Sequence, residues 1–116
     1  MDVVVQKLVA LGVPGLVLVF VIGSVGGAGA AAMTAALATL GGPMGMMGGI
    51  AVLGLIALTS DAIARFGLDA VAVAVVKGLR RNGTTRVEII HDVERAPITR
   101  GLKDRILAAL DQADAG

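Results

Sequence analysis

Asp61, Arg65 and Asp69 stand four residues apart, so a helix spanning them carries all three on one face. At a wet surface such a ladder contributes about 0.2–0.5 kcal/mol per opposite-charge pair. Inside a membrane bundle, ionisable residues at that spacing line an ion path. The ladder is therefore the one candidate polar or ion-path face in the chain. The other residues with chemical potential are isolated. His91 has no second histidine and no cysteine to share a metal with, and the chain has no cysteine at all. Met33, Met44, Met46 and Met47 lie among glycines, where flexible thioethers serve as packing filler. No nucleophile–base arrangement, phosphate-binding glycine loop or carboxylate pair in an apolar setting is present. The chain reads as a non-enzyme with no cofactor and no metal.

The elements that must position these residues are set by an unusual distribution of charge. From Leu8 to Ser60 there is no charged residue, and the only hydroxyls are Ser24, Thr34, Thr39, Thr59 and Ser60. The 116-residue chain is 56% hydrophobic with a mean hydropathy of +0.88. A membrane-spanning helix needs about 20 apolar residues, so the uncharged run has room for two crossings. Tryptophan and tyrosine are absent, and Phe20 and Phe66 are the only aromatics, so the usual interfacial belt is missing. A net charge of +1, with no aromatics interleaved among the basic residues, gives no nucleic-acid footprint.

The expected fold is all-α: a glycine- and alanine-rich membrane hairpin, an amphipathic helix, and a small C-terminal helical hairpin. Residues 1–79 form the membrane-embedded region and 80–116 a charged helical tail. Asp2–Leu11 predicts a short helix, and Pro14 opens a longer one. Gly41, Gly42 and Pro43 mark the hairpin turn, since two glycines followed by proline stop one helix and start another. Gly23, Gly27, Ala31 and Ala35 on the first arm, with Gly45 and Gly49 on the second, make small-residue ladders for close helix packing, a glycine zipper. Thr59-Ser60-Asp61 predicts an N-cap and a bend near Ser60, with a helix continuing to Leu79.

In the tail, Thr85 and Glu88 have the spacing of a capping box, although alternation over Thr85–Val93 also allows a strand. Thr99 predicts a second cap, followed by Leu102, Ile106 and Leu110 at helical intervals.

Ser24–Met33, Ala35–Gly49 and Asp61-Ala62-Ile63-Ala64-Arg65-Phe66 together resemble the small interferon-alpha-inducible hydrophobic protein family. The resemblance implies an organelle-membrane protein linked to innate immunity and regulated cell death, with no catalytic residues. The charged tail from Arg80 onward departs from that pattern.

These readings converge on a small integral-membrane protein that self-associates through its small-residue faces and forms a pore or disrupts membranes, as an antiviral defence or toxin-type effector. Its expected partners are the lipid membrane, further copies of itself, and a regulatory protein contacting the C-terminal tail, but no nucleic acid. Its expected location is a membrane, the inner membrane in a bacterium, with both termini cytoplasmic because Lys7, Lys77, Arg80 and Arg81 flank the hairpin. Two alternatives fit the same residues: a non-catalytic structural or scaffold subunit of a larger membrane complex, and a soluble multimer that buries its apolar arms until triggered.

Overall fold

The computed structural model describes residues 1–25 and 49–115. Among them are six helices and no strand: α1 (Asp2–Ala10), α2 (Val13–Val25), α3 (Gly49–Phe66), α4 (Leu68–Arg81), α5 (Arg86–Arg95) and α6 (Arg100–Ala115). The all-α expectation holds for these residues, and Thr85–Val93 takes the helical reading rather than the strand.

The centre of the bundle is α2. Residues Leu16 through Ile22 are consecutive and every one is at most 3% exposed. A helix that is apolar on all sides has no wet face and must be surrounded, and α2 packs against all five other described helices. The second hub is α4, whose pattern is different. Val71, Ala72, Val75, Val76 and Leu79 are buried, while Lys77, Arg80 and Arg81 point outward. That apolar stripe covers α2 and also meets α1, α3 and α6.

Here the membrane expectation fails. Among the described residues no helix is long and apolar enough to cross a membrane. The 13 residues of α2 span about 20 Å at 1.5 Å per residue, against about 30 Å of hydrocarbon. In α3 the uncharged part ends at Ser60, and Asp61 and Arg65 follow within the same helix. A short helix apolar on every side suits the middle of a bundle as well as it suits lipid, and here neighbouring helices supply the apolar surroundings. The transmembrane hairpin, and the membrane location with both termini on the cytoplasmic side, are corrected accordingly. The expected turn at Gly41, Gly42 and Pro43 lies outside the described residues.

The predicted bend near Ser60 is also displaced. The helix runs through Ser60, and Asp61 and Arg65 pair one turn apart instead of starting a new helix. The break comes at Gly67, whose φ of +92° is a left-handed value that other residues rarely adopt. Thr59 and Ser60 are left with buried hydroxyls that have no hydrogen-bond partner among the described residues.

The two predicted caps in the tail are present. The Thr85 hydroxyl accepts from the Glu88 amide at 3.1 Å and donates to the Glu88 carboxylate at 3.2 Å. Thr99 Oγ1 accepts from the Leu102 amide at 3.2 Å, closing the first turn of α6. Ile89 and Val93 of α5, with Ile106 and Leu110 of α6, enter the same buried cluster as α2 and α4. The tail helices thus pack on the apolar half of the chain.

Candidate interaction surface

Ion pairs tie the tail to the rest of the bundle. Arg86, at the start of α5, donates to Asp111 and, at 2.7 Å, to Asp114 on α6. Arg80 of α4 approaches Asp114 at 3.6 Å. Asp114 thereby bridges α4 and α5 through one carboxylate. The hydrogen bond to Asp111, then that to Asp114, raise the Arg86 pKa above its already high usual value. Farther along, Arg100 holds both oxygens of Glu94 at 2.7 and 2.6 Å, clamping the α5–α6 turn. These partly exposed pairs fix the register of α5 on α6. Nothing in the cluster is placed for group transfer, and among the described residues no three metal-ligating side chains gather.

The predicted site residues scatter. Asp61 and Arg65 do share a face and pair at 3.1 Å, with side chains 60% and 70% exposed. Asp69 does not extend that ladder, because Gly67 ends α3 and Asp69 belongs to the exposed first turn of α4. Gly23 lies in α2 against α4: a Cβ there would come within 2.8 Å of Leu68 Cδ1. Gly49 is the first residue of α3. Gly27, Ala31, Ala35 and Gly45 lie outside the described residues.

Two other glycines carry close approach and were not read from the sequence. A Cβ on Gly78 would sit 2.6 Å from Val9 Cγ2, where α4 crosses α1, and a Cβ on Gly15 would overlap the Leu8 carbonyl. A signal for Gly78 was available. It falls on the same helical stripe as Val71 and Val75, and a glycine at a core position marks a close crossing. Ladders of small residues, as in lipid, do not include such single glycines in an amphipathic helix.

An apolar surface lies open on the outer side of α3. Between α1 and α3 a groove of about 400 Å³ is lined by Lys7, Ala10, Leu11, Gly54, Leu55 and Leu58. Leu58 is 45% exposed, with Gly54 and Ala57 also open on the same helix. Along α3 the exposed face continues from Leu58 to Asp61 and Arg65, so an apolar patch ends in one negative and one positive group. An exposed apolar patch with a charged rim is the pattern of a contact surface.

Comparison with protein-family models, curated proteins and solved structures finds no match. Of the residues carrying the resemblance to the interferon-inducible proteins, only Ser24, Val25, Gly49 and Asp61–Phe66 are among those described.

Proposed function

We propose that this chain is a non-catalytic structural subunit that builds an assembly by docking further copies of itself through the outer face of α3 and the adjoining edge of α1. The carrying observation is the open groove at Leu58, in a bundle where Leu16–Ile22 of the other apolar helix are all buried. Asp61 and Arg65 favour a second copy as the occupant. A two-fold operator presents the same patch on both subunits, and a patch holding both signs of charge can answer itself. The charged rim sets orientation more than affinity, and the apolar groove supplies the area.

The test is molar mass by light scattering over a wide protein concentration range, for the parent protein and for Leu58→Glu. The parent is expected to be larger than a monomer and to dissociate on dilution. Leu58→Glu places an unpaired carboxylate in the contact and is expected to be monomeric with unchanged helix content. A parent that is monomeric at every concentration, or an oligomer indifferent to Leu58→Glu, overturns the proposal.

A further inference from the structure

A second groove has the character of a small-molecule site. It lies between the C-terminal end of α2 and the start of α6, holds about 490 Å³, and is walled by Val21, Ile98, Leu102 and Pro97, with Gly101 and Arg105 along α6. That volume falls within the range of ligand pockets, roughly 300–1,000 Å³. Its lining is mostly apolar, with Ser24, Thr99 and Arg105 as the polar members. A Cβ built on Gly101 meets nothing within 4 Å, so the space beside it is open.

Arg105 gives the groove its chemistry. Three of the six arginines from Arg80 onward are ion-paired: Arg80 and Arg86 with α6 carboxylates, and Arg100 with Glu94. Arg105 makes no ion pair among the described residues. It lies instead over the ring of Phe20, with its guanidinium carbon 5.9 Å from the ring centroid. Because Leu8–Ser60 carries no charged residue, no acidic side chain from that run can complete it. A guanidinium is a ready donor to a carboxylate. Here it lines an open, mostly apolar groove.

We infer that this groove binds a single aliphatic chain ending in a carboxylate, with the chain against Val21, Ile98 and Leu102 and the carboxylate on Arg105. The site is independent of the α1–α3 contact surface, since the two grooves share no lining residue. The apolar walls supply affinity in proportion to the area covered, and the one cation selects the charged head group over an alcohol.

Titration calorimetry with decanoate, 1-decanol and acetate separates the contributions, and amide shifts in two-dimensional NMR locate the site. Decanoate is expected to bind with one-to-one stoichiometry and to shift Val21, Ile98, Gly101 and Leu102. Decanol is expected to bind several-fold more weakly, and acetate not measurably. Arg105→Gln keeps the fold, because the side chain is exposed, and is expected to weaken decanoate about fivefold while leaving decanol unchanged. Gly101→Leu fills the slot and is expected to weaken both. Non-saturable uptake of several chains per protein overturns the inference. So does equal binding of decanoate and decanol, or a shift pattern centred on Leu58.

Discussion

α2 and the front half of α3 are built from the same kinds of residue, yet the bundle treats them differently. Leu16–Ile22 of α2 are enclosed by five neighbouring helices, whereas α3 keeps Gly54, Ala57 and Leu58 open beside α1. The difference lies in what the chain can place around each. The amphipathic α4 and α6 both meet α2 and pack on each other, and α4 also reaches α1 and part of α3. With those covers used, α3 is left with a partial one. Among the described residues Met1, Val3, Leu58, Phe66 and Val87 are the large apolar side chains left exposed, and of these Leu58 lines the α1–α3 groove on which the proposed contact rests.

The comparison breaks most visibly when the two helices are truncated in turn. Phe20→Ala removes the largest fully buried side chain of the bundle and is expected to cost about 3–5 kcal/mol. Leu58→Ala is expected to cost about 0.5 kcal/mol or less in the monomer, as for a surface substitution. Chemical denaturation at low protein concentration measures both. Similar losses at the two positions would mean that α3 is as enclosed as α2.

Next in size is the α1–α4 crossing. Gly78→Ala pushes a methyl into the stiff, β-branched Val9. Overpacking of this kind costs roughly 1–3 kcal/mol, partly offset by the better helix propensity of alanine, about 1 kcal/mol. The thermal midpoint should fall. The same change at Gly23 should cost less, because Leu68 meets it with a flexible side-chain tip. A larger loss at Gly23 than at Gly78 would reverse the packing order given above.

Thr59→Val tests α3 from inside. The Thr59 hydroxyl is fully buried without a partner among the described residues, and valine keeps the shape while removing the unsatisfied group. Stability should rise by about 1 kcal/mol. A loss on substitution would reveal a hydrogen bond that the hydroxyl makes in solution.

The smallest effect is expected at the tail clamp. Arg86→Gln removes two contacts that are largely exposed, so stability should drop slightly, and the drop should shrink at 1 M salt. Its pKa is raised in the fold, so the contribution is complete below the ordinary guanidinium pKa and is lost only as pH climbs through the raised value. No change in this contribution from guanidinium titration is expected between pH 5 and 9. A salt-independent loss would point to packing by the side-chain stem instead of charge.

Much of the tail was legible in the sequence because its signals are local. Thr85 and Glu88, and Thr99 before Leu102, announce their caps within one helical turn, and Ile106 and Leu110 repeat at the helical period. The apolar half was legible only as helical. Local hydrophobicity measures how strongly a segment avoids water and is silent on whether lipid or other helices replace it. That choice depends on contacts such as α2 with α6, which join residues distant along the chain. The polar ladder was half legible: Asp61 and Arg65 follow helical spacing, but the spacing alone does not reveal that Gly67 turns Asp69 onto another helix. The α1–α3 groove had no sequence signature at all, since an exposed leucine and a buried one are the same letter.

The central claim is that helices, and not lipid or water, surround α2. The absence of native cysteine makes single-cysteine labelling a clean probe of it. Val19→Cys and Ala57→Cys are treated, in the native protein, with one water-soluble and one lipid-partitioning maleimide. Val19→Cys is expected to resist both reagents until denaturant unfolds the bundle, and Ala57→Cys to react readily at low protein concentration. Rapid reaction of Val19→Cys with the lipid-partitioning reagent alone would place α2 against lipid and contradict the account.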